Sequence, residues 1–448
     1  MPRISNNRYA RVLSKVYFGW WIVAVSVIAD GLKHGSFNRG FTIFVVPIRT
    51  DLGVGVAAIS IADMLGRLTG SIQGPIVGYL TDRWGPRLML IIGAILSGLG
   101  FICLAFVRNY TFFLLIFVGL LSAGFRSGYN SASLTAINRW FRRKRAFAMS
   151  IVSIGNGLGG SLVLLTGSMV NTFGWRPVAF VYGILIIGII CPLSIIVRDH
   201  PENMGLLPDG DKPNPNSEYQ SNSDPEELSS NHTFPEWDFT AREAMITHTY
   251  WWIVLPVGLS GAVHSGMRFL LAPVLIWFLS ESNRSEQSNL LIASIFVTVM
   301  AFSTIVSNPS IGWLGDHVSK QKLSAICMLC GAGSLLLLVN QNGNLYILTM
   351  FCGLMSIAES SNPLAWAVMG DCFGRKSFAT LRGWQNVPDQ LMAMSTPVWM
   401  GLIYDSTGSY YWALLPLFAL YVFAAILFWT IPRPHMPSRL KKQETSLI

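Results

Sequence analysis

Apolar residues in this 448-residue chain fall in long blocks instead of alternating with polar ones. Residues 91–107, 179–197 and 413–431 each run close to the ~20 residues that an α-helix needs to cross a bilayer. In hydrocarbon every backbone N–H and C=O must be satisfied within its own segment, so such blocks predict helices. The pattern gives twelve spans: 18–48, 55–80, 87–107, 110–138, 146–170, 177–197, 247–279, 288–314, 322–339, 344–369, 378–403 and 410–431. Several exceed the minimum length, which implies tilt or extension past the headgroups. The first block lacks a small-residue cleavage site and is too long for a signal core, so no cleavable leader is expected.

Composition agrees with the pattern. The chain is 52% hydrophobic and 12% charged, against roughly 25% charged for an average soluble domain. The formal charge of +9 raises the question of a nucleic-acid partner. Its location argues against one. Basic residues outside the spans cluster as Arg3, Arg8, Arg11 and Lys15; Arg83 and Arg87; Arg139 and 142–145; Arg198, Lys212 and Arg242; Lys320 and Lys322; Arg375 and Lys376; and Arg433, Arg439, Lys441 and Lys442. All fall on one side if the N-terminus is cytoplasmic; Arg108, Arg176 and Arg284 fall on the other. This is the positive-inside asymmetry, and it predicts cytoplasmic termini. Cys103, Cys191, Cys327, Cys330, Cys352 and Cys372 lie in spans or on the cytoplasmic side, so no disulfide is expected. The Cys327-x-x-Cys330 pair has no companion ligands nearby, so neither metal nor cofactor is expected.

Residues 199–245 differ from the rest. They are rich in Pro, Asn and Ser and hold 11 of the 23 acidic residues, which predicts a partly disordered cytoplasmic linker. The expected organisation is a six-helix bundle over 1–198, the linker, a second six-helix bundle over 246–432 and a cytoplasmic tail over 433–448. The halves repeat. Trp20-Trp21-Ile22-Val23 recurs 231 residues later as Trp251-Trp252-Ile253-Val254. Gly78-Tyr79-Leu80-Thr81-Asp82 recurs 234 residues later as Gly312-Trp313-Leu314-Gly315-Asp316. Phe141-x-Arg143-Lys144 returns as Phe373-x-Arg375-Lys376, and Gly174 as Gly408. Four matches in the same order at nearly constant offset indicate a duplication. Parallel repeats of this kind place substrate between the halves, near the bilayer midplane.

Gly78-Tyr79-Leu80-Thr81-Asp82-Arg83-Trp84-Gly85-Pro86-Arg87 resembles the loop signature G-x-x-x-D-R-x-G-x-R of the major facilitator superfamily, and it lies between spans 2 and 3 as that signature does. In the second copy Asp316 is kept, His317 replaces the arginine and the later glycine is gone. Within the superfamily the chain is similar to the monocarboxylate transporter and oxalate–formate exchanger branch. The similarity rests on Gly19-Trp20-Trp21, on Leu134-Thr135-x-Ile137-x-x-x-Phe141-x-x-Lys144-Arg145, on Gly174-Trp175-Arg176 and on Pro397-x-x-x-Gly401-x-x-x-Asp405-x-x-Gly408-x-Tyr410. The resemblance implies an all-α membrane protein with twelve transmembrane helices in two pseudo-symmetric bundles. It also implies secondary transport by alternating access, with Gly78, Asp82, Arg83, Gly85, Arg87 and Asp316 in the gate. There the glycines let helix ends approach, and Asp82 and Arg83 make charge contacts between helices.

Ionisable groups inside a bilayer are costly and mark function by default. The spans carry Asp30, Lys33, Arg39, Asp63, Arg67, Arg126, Arg268, Glu359, Arg382 and Asp389, with His34 and His264: six basic residues against four acidic. Arg39 and Arg268 each stand 21 residues after the start of their span, about 30 Å along the helix at ~1.5 Å per residue. Each follows a histidine, His34 or His264. Spans 1 and 7 are duplication mates and line the cavity in the superfamily, so the two guanidiniums predict a carboxylate clamp. The stretch beginning at Arg39 resembles the part of span 1 that begins with a functional lysine in monocarboxylate transporters, which passes that role to Arg39. The Asp-x-x-x-Arg pair of their span 8 is missing, since this chain reads Thr304-Ile305-Val306-Ser307-Asn308-Pro309. A transported proton then needs another carrier, for which Asp389 and Glu359 are the candidates. Asp63 and Arg67, four apart on one face, predict a structural pair, and Asp30 and Lys33 have the spacing to neutralise each other. Arg126 faces either the cavity or a partner carboxylate. Arg382 is expected at the cytoplasmic boundary.

The reading that follows is a secondary transporter of a small organic anion, a carboxylate, by proton symport or anion exchange, acting as a monomer in the lipid bilayer. Its expected location is the plasma membrane, or the inner membrane of a Gram-negative cell. The alternative is an exporter of amphipathic or cationic compounds using Asp30, Glu359 and Asp389. No nucleophile motif, metal cluster or phosphate loop suggests an enzyme, and Gly155-x-Gly157-x-Gly159-Gly160 lies in a span, where small residues serve helix packing.

Overall fold

A computed structural model describes residues 17–211, 237–280, 285–339 and 343–432, with residue 434. Most of the expected linker (212–236), the tail from 435, and the basic residues Arg3, Arg8, Arg11, Lys15, Lys212, Arg284, Arg433, Arg439, Lys441 and Lys442 lie outside the described residues.

Each of the twelve expected spans is helical. Span 1 is built from α1 (Gly19–Lys33), a π-helical turn (His34–Asn38) and α2 (Phe41–Leu52). Span 2 is α3 (Val56–Trp84) and span 3 is α4 (Pro86–Leu104). Span 4 runs through α5 (Tyr110–Ile116), π turns at Phe117–Ser122 and Phe125–Tyr129, and α6 (Asn130–Trp140). Span 5 is α7 (Arg145–Val152) with α8 (Ile154–Phe173), and span 6 is α9 (Trp175–Ile196). A short α10 (Ala241–Ile246), opened by a Thr240–Glu243 capping box, leads into the second half. Span 7 is α11 (His248–Leu279), span 8 is α12 (Glu286–His317) and span 9 is α13 (Lys320–Val339). Span 10 is divided into α14 (Leu345–Glu359) and α15 (Ser361–Phe373), span 11 is α16 (Phe378–Thr407) and span 12 is α17 (Tyr411–Trp429).

Seven of these are long and apolar enough to cross a membrane, corresponding to spans 3, 5, 6, 7, 8, 9 and 12. The remaining five, spans 1, 2, 4, 10 and 11, hold every intramembrane charge except Arg268. Polar side chains and helix breaks therefore concentrate in the same helices. Broken helices are tolerated at membrane depth only where they are buried in protein or line a water-filled cavity.

Small residues set the closest packing. Gly155 and Gly159 of span 5 lie against the backbone of Gly31 and Gly35 in span 1, where any Cβ would collide. The buried apolar residues form two clusters. One holds first-half residues alone, among them Phe37, Phe44, Phe101, Phe125 and Tyr182. The other runs from Ile22, Val77, Trp140 and Met149 of the first half into the whole second half. The halves thus share a core at one end and keep separate cores toward the other.

Candidate functional site

Among the described residues, the hydrogen bonds between the two halves gather at the ends of spans 2, 4, 5, 8, 10 and 11, which form a closed end. At the heart of this end are two copies of one device. Asp82, at the end of span 2, accepts from the backbone N–H groups of Ala379 (3.2 Å) and Thr380 (2.8 Å) and from the Thr380 hydroxyl (2.6 Å). Those residues open span 11, so the carboxylate sits on the positive end of a helix from the other half. Asp316, at the end of span 8, accepts from Ala146 and Phe147 N–H (3.0 Å each) at the start of span 5. Each half therefore caps a helix of its mate. Gly78 makes the first contact possible, because a Cβ there would strike the Ala379 carbonyl. Gly85 adopts φ 89°, and its open side is filled by the Asp199 carboxylate, which also accepts from Arg87 N–H at 3.3 Å.

Arg83 departs from expectation. Its described side-chain contact is to Tyr79 Oη (3.3 Å), one turn back on its own helix, and not to another helix. The mate position behaves alike: His317 Nδ1 lies 2.8 Å from the Trp313 carbonyl and the two rings are 4.5 Å apart. The cation that faces Asp82 is Arg139, at 3.9 Å, with its side chain 4% exposed. Arg145, 1% exposed, pairs across the halves with Asp371, which also receives Lys320 at 2.6 Å. Sequence reasoning assigned Arg139 and Arg145 to topology and missed Asp371. A signal was present, since Asp371 stands 232 residues after Arg139, where a duplicate should repeat the basic residue. The described ends of the linker also dock here. Asp209 accepts from the N–H groups of Arg142 (3.0 Å) and Arg143 (2.8 Å), and Asp238 from those of Arg375 (2.9 Å) and Lys376 (3.2 Å). Glu202 reaches the Arg375 guanidinium at 3.0 Å.

Away from the closed end, the intramembrane charges come together from several spans. Arg268, on the unbroken helix of span 7, donates to Glu359 at 2.9 Å; its side chain is 57% exposed, so it faces open space. Glu359 ends α14, at the break in span 10. Arg39 follows the π turn of span 1, and its guanidinium lies over Gly160 of span 5. No ion pair or side-chain hydrogen bond is found for Arg39 among the described residues, and it interacts electrostatically with Arg268 and Glu359. His34 spans Asn38 (3.2 Å) and Asp30 (3.6 Å), and Asp30 also acts electrostatically on Lys33.

Arg126 lies in the second π turn of span 4. It meets Asp63 at 3.4 Å, Ser122 at 3.0 Å and the Phe37 ring at 5.7 Å, while Asp63 and Arg67 pair at 2.8 Å. Arg126 thus has a partner carboxylate. Arg382, within a turn of the closed-end residues Ala379 and Thr380, stacks over Trp366 at 4.3 Å, within electrostatic reach of Asp389 and of Asp30 in the other half. The Asp389 carboxylate fills the space beside Gly261 of span 7. His264 is 4% exposed, both ring nitrogens lack hydrogen-bond partners, and the ring packs edge-on against Tyr421 at 5.8 Å. It lies within electrostatic reach of Glu359 and Arg268 but makes no hydrogen bond to either. Among the described residues no group of three His, Cys, Asp or Glu side chains could hold a metal ion.

Helix breaks in spans 1, 4 and 10 thus each present a charge: Arg39, Arg126 and Glu359. π turns inside helices recur at functional sites, and discontinuous helices around a mid-membrane site are the architecture of secondary transporters.

A sequence model of the Major Facilitator Superfamily matches residues 35–256 and 257–447, one match for each half. The oxalate:formate antiporter of Oxalobacter formigenes is 30% identical over 186 residues, which spans 42% of this chain and 44% of the antiporter. Human monocarboxylate transporter 2 is 22% identical over 91% of this chain and 84% of its own length. Among solved structures, the transporter FucP in the outward conformation superposes with a TM-score of 0.68 at 14% identity, covering 92% of this chain and 99% of that one. The chain belongs to the Major Facilitator Superfamily, and it is a multi-pass membrane transporter, not an enzyme.

Proposed function

We propose that this transporter carries a small organic anion, a carboxylate, by secondary active transport with alternating access, as proton symport or anion exchange. The observation that carries the reading is Arg39: a guanidinium at a helix break, with no ion pair or hydrogen bond to a carboxylate among the described residues, within electrostatic reach of a second arginine of the other half. Its unpaired charge is costly at membrane depth unless an anion visits it. A guanidinium offers a planar donor fork matched to a carboxylate. Arg268 completes the clamp when Glu359 releases it, and Glu359 and Asp389 are the groups placed to take a proton. Arg126, held by Asp63, adds positive field instead of a free donor. The closed end faces the cytoplasm in this reading, because the basic loop residues gather there. The termini then lie on that side, and one chain holds a complete pathway in the plasma membrane.

The names of the relatives support the substrate class, since they are an oxalate:formate antiporter and monocarboxylate transporters. The test is uptake of labelled formate, oxalate and lactate into proteoliposomes. Uptake is expected for the wild type and is lost on Arg39→Ala; undiminished uptake by that variant removes the clamp.

A further inference from the structure

Lys33 is the last residue of α1, immediately before the π turn that carries His34 and leads to Arg39. It is 8% exposed. No hydrogen bond or ion pair is found for its ammonium among the described residues, although Lys is almost never buried without a partner. The nearby carboxylates are shared with other groups. Asp30 faces His34 Nε2 at 3.6 Å, and Asp63 holds both Arg67 and Arg126. The charged groups that act on Lys33 are Asp30 on its own helix, Arg126 of span 4 and Arg382 of span 11, so two of the three are cations. A buried ammonium in that company is expensive unless a counter-ion arrives.

Its place along the path gives the counter-ion an origin. Lys33 precedes Arg39 by six residues on the same span, about 9 Å of helix toward the closed end at ~1.5 Å per residue. A path running from Arg39 toward the closed end therefore passes the level of Lys33. We propose that Lys33 is a second, deeper contact for the carboxylate: the ammonium that completes its binding once Arg39 has received it. The inference rests on the carboxylate reading above and adds a residue that neither the loop signature nor the branch resemblance singles out. The bland alternative is that Lys33 serves only to neutralise Asp30.

The test compares the full-length purified protein with Lys33→Met, Lys33→Arg, the double variant Asp30→Asn/Lys33→Met, and Arg39→Ala. Each is titrated with formate, oxalate and lactate and followed by thermal unfolding, since a ligand that binds only the folded state raises apparent stability. The proposal expects Lys33→Met without ligand to be at least as stable as the wild type, with apparent carboxylate affinity weakened tenfold or more. It expects Lys33→Arg to stay within about threefold of wild type, because a guanidinium keeps the charge. The double variant should show the same tenfold loss, which keeps the test open if the single variant fails to fold. Wild-type affinity in the double variant overturns the proposal, as does a destabilised Lys33→Met that Asp30→Asn restores together with full binding. If Arg39→Ala loses binding while the Lys33 variants keep it, this proposal fails and the carboxylate reading stands. If Arg39→Ala keeps binding, or no probe stabilises the wild type, both fail.

Discussion

The closed end and the charged cavity treat the duplication in opposite ways. At the closed end the halves mirror one another: Asp82 caps span 11 and Asp316 caps span 5, each by two backbone N–H groups of the other half. Even the degraded position follows suit, since Arg83 and His317 both turn back to the aromatic residue one turn earlier. In the cavity the mirror breaks. Arg39 is unpaired after a π turn, whereas its counterpart Arg268 sits on a continuous helix and is held by Glu359. In the alternating access proposed above, opening and closing is a motion of one half against the other, so a latch shared by both halves suits it. Binding and coupling act on a small molecule without that symmetry, so the site can assign different tasks to matched positions.

The largest expected disturbance of the latch is Arg145→Met. It strips Asp371 of a cation that is 1% exposed, and breaking a buried pair costs about 3–5 kcal/mol. Because Lys320 remains, the lower figure is expected, and distance distributions between spin labels on the 2–3 and 10–11 loops should shift toward separation. Asp82→Ala and Asp316→Ala should each weaken closure by about 1–2 kcal/mol, the worth of a charged cap at a helix N-terminus. Equal effects would support the mirror, and their sum should appear in the double variant if the two caps act independently. A large effect from one and none from the other would break the comparison at its symmetric side.

The asymmetric side is tested by the Arg268–Glu359 pair. Arg268→Gln leaves a carboxylate that is 13% exposed without its cation and should lower thermal stability by about 2 kcal/mol. Glu359→Gln leaves a guanidinium that is 57% exposed and can be hydrated, so its effect should stay under about 1 kcal/mol. The reverse order would contradict a solvent-accessible Arg268 beside a shielded Glu359. The smallest effect is expected from His264→Phe: with no hydrogen bond to lose, it should change unfolding stability by less than about 1 kcal/mol.

Much of the frame was legible in the sequence. Span lengths follow from bilayer thickness, and the aspartates of the gate could be matched by their 234-residue offset. The breaks in spans 1 and 4 were not legible, because π turns carry no fixed residue pattern, and the break in span 10 is only the single residue Ser360 between two helices. Nor was the Arg268–Glu359 contact, which joins residues 91 positions apart through the packing of two spans. Arg139 and Arg145 were hidden for a different reason. A basic loop is fully explained by topology until burial shows that two of its members point inward. Asp30 and Lys33 do act on each other electrostatically, as their three-residue interval allows, but the spacing did not show that the carboxylate also lies 3.6 Å from His34 Nε2.

In the proposed function the guanidinium of Arg39 receives the transported anion. The most direct measurement is initial uptake of labelled formate, oxalate and lactate into proteoliposomes holding wild type, Arg39→Lys or Arg39→Ala at matched protein content. Charged hydrogen bonds contribute about 1.5–3 kcal/mol, so Arg39→Ala should lose about 10- to 100-fold in kcat/KM while Arg39→Lys keeps part of the activity. Uptake by Arg39→Ala at the wild-type rate would contradict the account.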